Sequence, residues 1–128
     1  MASIGDSMAD SIAPIFTQKV VDEGGDVTLS CRYKTNSSVA NNYLHWYRQY
    51  PKSIPKFLLY IHQRGTLSAN TPPRMSAEVH DDNNNKKQVD LLISSAAVSD
   101  SALYYCALQP ANTGGRIYFG SGTKLIVE

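Results

Sequence analysis

The sequence predicts an all-β sandwich or barrel, and three observations carry that prediction. Short runs rich in β-branched, aromatic and aliphatic residues recur along the 128-residue chain, each bounded by glycine, proline or asparagine turns. Several of these runs alternate apolar and polar side chains, which places one face on a core and the other in water. No segment shows convincing helical periodicity, an internal repeat or a linker, so the chain reads as roughly eight or nine strands in one domain.

In order, residues 15–21 form a first strand and Gly24-Gly25 a turn. Residues 27–33 (VTLSCRY) alternate strictly, with Val27, Leu29, Cys31 and Tyr33 on one face. Residues 43–49 (YLHWYRQ) put Leu44 and Trp46 on one face and His45, Tyr47 and Gln49 on the other. Residues 56–61 (KFLLYI) are almost wholly apolar, a strand without a clean solvent face, and turn at residues 63–66. Residues 75–79 and 88–93 pair around a polar tip at 81–87; Val89, Leu91 and Ile93 face one way. Residues 117–127 make a last strand, interrupted by Gly120-Ser121-Gly122 in the manner of a bulge.

Residues 100–110 (DSALYYCALQP) are unusual. Ala102, Tyr104, Cys106 and Leu108 share one face, Leu103, Tyr105 and Ala107 the other, and neither is polar. An antiparallel strand with one wet side should alternate, so this one is expected to be covered on both sides.

Composition narrows the function classes. Apolar residues make up 42% and charged residues 18%, a globular balance. Net charge is +1, with no basic run longer than Lys86-Lys87, which leaves no footprint for nucleic acid or a membrane surface. No apolar stretch is long enough for a membrane-spanning helix. Residues 1–12 lack the basic start and apolar run of a secretory signal and read as a remnant or disordered leading segment, with the domain at 13–128. Cys31 and Cys106 stand 75 positions apart. They share no ligand spacing with His45, His62 or His80, so one long-range disulfide is the better reading. Closing so large a loop is worth roughly 4 to 5 kcal/mol in the chain-entropy model. It also implies an oxidising compartment, hence a secreted or cell-surface protein. Asn36-Ser37-Ser38 is a glycosylation sequon compatible with that route. Gly120-Ser121-Gly122 lacks the spacing of a hydrolase elbow, no nucleophile and base pair is suggested, and the reading is a non-enzyme without cofactor or metal.

Cys31, Trp46 and Cys106, the run Asp100-x-Ala102-x-Tyr104-x-Cys106, Trp46-Tyr47-Arg48-Gln49 and Phe119-Gly120-Ser121-Gly122-Thr123 together resemble an immunoglobulin variable-type domain, from about residue 15 to the end. The segments WYRQYPKSIPKFLLYI and DSALYYCAL are similar to a T-cell receptor alpha-chain variable region, and NTGGRIYFGSGTKLIVE resembles a joining segment. Delta chains share variable segments with alpha chains. Antibody light chains share the ending but more usually read YYCQQ at the second cysteine.

The resemblance implies a β-sandwich of two antiparallel sheets bridged by Cys31 and Cys106. Trp46, Tyr104 and Leu91 would lie in the core, and Arg74 and Asp100 would form a structural salt bridge. Tyr47, Gln49, Pro55, Leu59, Tyr105 and Phe119 would face a beta-chain variable domain, with Gln49 bonding a matching glutamine, and the same patch would let the isolated domain form a homodimer. Three loops would read peptide presented by an MHC molecule: Asn36, Ser37, Ser38, Asn41 and Asn42 in the first, His62, Gln63 and Arg64 in the second, and Gln109, Pro110, Ala111, Asn112, Thr113, Gly114, Gly115 and Arg116 in the third. The implied setting is a cell surface. A delta chain, an innate-type receptor and a homophilic adhesion module are the alternatives. His80 is expected to be plain surface.

Overall fold

The computed structural model describes residues 10–36, 41–81, 86–110 and 116–128. Ten strands lie among them: β1 Ser11–Pro14, β2 Gln18–Val21, β3 Val27–Lys34, β4 Asn42–Gln49, β5 Lys56–His62, β6 Met75–Asp81, β7 Lys87–Ile93, β8 Ala102–Pro110, β9 Tyr118–Phe119 and β10 Thr123–Val127. They form two sheets, one ordered β1-β3-β7-β6 and one ordered β2-β10-β8-β4-β5 with β9 paired to β8.

Period-two alternation fixes which residues meet between the sheets. In β3, Val27, Leu29, Cys31 and Tyr33 are buried while Thr28, Arg32 and Lys34 are exposed. Val89, Leu91 and Ile93 of β7 oppose them in register, and Leu44 and Trp46 of β4, with Tyr104, Cys106 and Leu108 of β8, close the core from the other sheet. The Cys31–Cys106 disulfide joins β3 to β8 and so ties the two sheets together, with the Cα atoms 6.6 Å apart. Gly120 packs on this bridge; a Cβ there would lie 3.1 Å from the Cys106 sulfur, tight enough that the neighbours would have to give by a few tenths of an ångström.

The floor of the sandwich is polar. A 3-10 turn at Val98–Asp100 presents the buried Asp100. Its carboxylate accepts from Arg74 Nη1 at 3.0 Å, Arg74 Nη2 at 3.2 Å and the Ala97 backbone N–H at 2.8 Å. Burial pushes its pKa up, but these donors outweigh burial and hold it below the ordinary aspartate value. The Tyr104 hydroxyl donates to the Asp100 carbonyl at 2.6 Å, and burial raises that phenol to about 12.

Two expectations about the start of the chain are corrected. The leading segment does not extend to residue 12: Ser11 opens β1, and Ile12 is buried in the core. Of the single strand expected at 15–21 only Gln18–Val21 forms, as β2, because the chain leaves β1 at Pro14 and crosses between sheets around Phe16. β1 runs antiparallel to β3, and β2 runs parallel to β10.

Candidate functional site

The face of β4, β5, β8 and β9 that points away from the core carries the side chains left over by period two. Tyr43, His45 and Tyr47 alternate along β4 and pair across with Gln109, Ala107 and Tyr105 of β8. Phe57 and Tyr60 of β5 and Phe119 of β9 complete a network of rings: Tyr47 meets Phe57 at 5.6 Å and Phe119 at 5.4 Å, and Tyr43 meets Tyr60 at 5.4 Å between centroids. Phe57 is 50% and Phe119 59% exposed, so the network is open to solvent. Tyr47, Pro55, Tyr105, Phe119 and Gly120 line a depression of about 210 Å³ within it. Four of the six residues expected to face a partner therefore converge on one hollow.

Leu59, also expected on this face, is 0% exposed and belongs to the core. The cause is a β-bulge. Trp46 pairs with Leu59, but the next residue, Tyr47, pairs with Phe57, so Leu58 is the extra residue and the strand changes face there. Phe57 and Tyr60 take the outward positions, and both were missed. Their three-residue spacing is the only trace in the sequence: in a regular strand they would point to opposite sides.

Gln49 is already engaged within the chain. Its Nε2 donates to the Ser53 carbonyl at 2.9 Å, and its Oε1 accepts from the Tyr105 hydroxyl at 2.8 Å. One amide hydrogen and one oxygen lone pair are left for a partner.

At the loop end, the structure pairs several residues expected to contact antigen with one another. Asn42 and Gln63 are buried, Asn42 Nδ2 donating to Gln63 Oε1 at 2.6 Å, and the backbone N–H of Gln63 bonds the Asn42 carbonyl. Gln63 Nε2 reaches Asp81 at 3.3 Å, and Lys87 reaches the same carboxylate at 3.2 Å. Polar groups removed from water must be satisfied, and here they satisfy each other as a clasp between the two sheets. The expectation that Asn42 and Gln63 form part of the contact surface is corrected accordingly. Pro110 is buried as well, at the end of β8 opposite Asn42. Beside the clasp, His62 Nε2 bonds Asn41 Oδ1 at 2.9 Å, with the His62 Nδ1 accepting from the Arg64 N–H. Asn36, Asn41, Arg64 and Arg116 are exposed, and Gln109 is half-buried against His45. Ser37, Ser38, Ala111, Asn112, Thr113, Gly114 and Gly115 lie outside the described residues. On the far sheet, His80 is exposed, as expected, and also bonds the buried Asp90 at 2.8 Å.

A family model of the immunoglobulin V-set domain matches residues 17–128. The chain belongs to the immunoglobulin V-set family. This V-set domain is 35% identical over 123 residues to the T cell receptor alpha chain MC.7.G5 of Homo sapiens, covering 95% of this chain and 42% of that one. It is 34% identical over 122 residues to the T-cell receptor alpha chain V region CTL-F3 of Mus musculus, covering 93% and 83%. It is 30% identical over 105 residues to the Ig kappa chain V region K-25 of Oryctolagus cuniculus, covering 82% and 85%. The chain thus spans less than half the length of the human receptor chain that it matches.

Proposed function

We propose that this V-set domain is the antigen-recognition domain of a T-cell receptor alpha chain, displayed at a cell surface. Its outer aromatic face pairs with a beta-chain variable domain, and its loops read peptide presented by an MHC molecule. The observation that carries the reading is the exposed ring network of Tyr47, Phe57 and Phe119 around the hollow at Tyr105. Nothing in the fold needs those rings outside, since Trp46, Tyr104 and Cys106 already fill the inner face. An open apolar patch of this kind marks an interaction site, and central aromatic anchors supply most of an interface's binding energy. The similarity to receptor alpha chains of human and mouse supports the choice of partner.

Sedimentation of the purified domain, alone and mixed with a panel of beta-chain variable domains, tests this. The expected result is a one-to-one complex with some members of the panel, lost in a Tyr105→Asp variant. A chain that ignores every beta domain and persists as a homodimer would favour the homophilic reading instead. Alone and at high concentration, the domain is expected to self-associate through the same face.

A further inference from the structure

His45 sits in the middle of the outer face, between Tyr43 and Tyr47 along β4 and opposite Tyr60 of β5 and Ala107 of β8. Its ring lies nearly parallel to Tyr47 at 6.4 Å and meets Phe57 and Tyr60, each at 5.9 Å between centroids. Nε2 is 2.9 Å from Oε1 of Gln109. An amide oxygen only accepts, so Nε2 carries the hydrogen and Nδ1 is the basic nitrogen. Nδ1 is buried, with no hydrogen-bond partner among the described residues. Any added proton must therefore go where no acceptor waits for it.

We propose that this arrangement makes pairing through the outer face acid-sensitive, because the partner docks on the neutral form of His45 and protonation loosens the contact. The proposal rests on the pairing reading above and deepens it. Side chains that meet the ring are Tyr47 on its own strand, Phe57 and Tyr60 on β5, and Gln109 on β8. The phenols of Tyr47 and Tyr60 are the titratable groups among them, and these contacts include no carboxylate to stabilise an imidazolium. Aromatic faces attract cations, but the Tyr47 ring lies at 6.4 Å and the tilted rings of Phe57 and Tyr60 at 5.9 Å, the outer limit of that attraction. Burial dominates: it lowers the His45 pKa, and the Gln109 bond only partly offsets it. A docked partner removes the remaining water, which disfavours the charge further.

The sign follows from linkage. The free chain takes up the proton more readily than the complex, so affinity is constant above the free-chain pKa and falls as pH drops below it. For one proton the slope reaches at most about tenfold per pH unit.

The test is sedimentation of the domain with a beta-chain variable domain at pH 7.5 and 5.5, at constant ionic strength, for the wild type, His45→Gln and His45→Phe. The wild-type complex is expected to weaken by more than about twofold at the lower pH, the size set by how far that pH lies below the free-chain pKa, and whichever variant folds by less than about twofold. His80→Gln, on β6 of the opposite sheet, is expected to behave as wild type. Equal weakening in the wild type and the His45 variants would overturn the proposal while leaving the pairing intact. Absence of a complex at both pH values would overturn the pairing reading, and the proposal with it.

Discussion

The two sheets share one core but present opposite faces to their surroundings. On the four-stranded sheet the outward side chains include Thr28, Ser30 and Arg32 of β3, Gln88 and Asp90 of β7, and Glu78 and His80 of β6. Their polar groups are settled locally: Asp90 accepts from His80 at 2.8 Å and from Gln88 at 2.9 Å. On the six-stranded sheet the corresponding positions hold Tyr43, Tyr47, Phe57, Tyr60 and Phe119. Folding requires each sheet to be apolar on one side only. The four-stranded sheet meets that requirement and stops, whereas the other carries an aromatic surplus that the domain's own core does not use. On the proposed reading, that surplus is what a partner domain covers.

The largest expected effect is on what both sheets share. Replacing Cys31 and Cys106 together by alanine should cost about 2 to 5 kcal/mol, read by urea unfolding with Trp46, the chain's single tryptophan, as the probe. A loss well under 1 kcal/mol would mean that packing alone holds the sheets together.

Next comes the floor. Asp100→Ala takes the acceptor from the Ala97 N–H, while Arg74 keeps the Ser94 and Ser95 carbonyls, and should cost about 1 to 3 kcal/mol, as for an orphaned backbone donor. The pH dependence follows from the depressed pKa of Asp100. Its folded value lies below its unfolded one, so its contribution is complete above the ordinary aspartate value near 4 and fades as pH falls below that. Acid unfolding curves should be shallower in the variant over that interval; identical curves would show that Asp100 contributes nothing there.

How far the sequence reached depends on which physical rule was in force. Strict alternation in VTLSCRY made β3 readable, and DSALYYCALQP marked β8 as a strand apolar on both faces, with Leu103 on the outer one exposed. In KFLLYI the pattern was mute, because an almost wholly apolar run looks the same in either register. Only the bulge opposite Trp46 and Tyr47 decides that Leu59 turns in and Phe57 out. The Asn42–Gln63 clasp was illegible for another reason. Two polar residues 21 positions apart read separately as wet loop, and their hydrogen bond exists only once the fold brings them together.

Smaller effects on stability should separate the two outer faces. Phe119→Asp should change the unfolding free energy by less than about 1 kcal/mol, since the ring is largely exposed, yet weaken association at least tenfold if it is a central anchor. Arg32→Ala on the opposite sheet should shift stability by no more than about 0.5 kcal/mol and leave association unchanged. Sedimentation and urea unfolding of the two variants side by side would expose the reverse pattern.

Hydroxyl-radical footprinting of the domain, free and bound to a beta-chain variable domain, tests the asymmetry most directly. The account predicts that Tyr47, Phe57 and Phe119 become protected in the complex while His80 and Leu92, on the four-stranded sheet, react as before. Protection of His80 and Leu92 with Phe57 and Phe119 unchanged would contradict it.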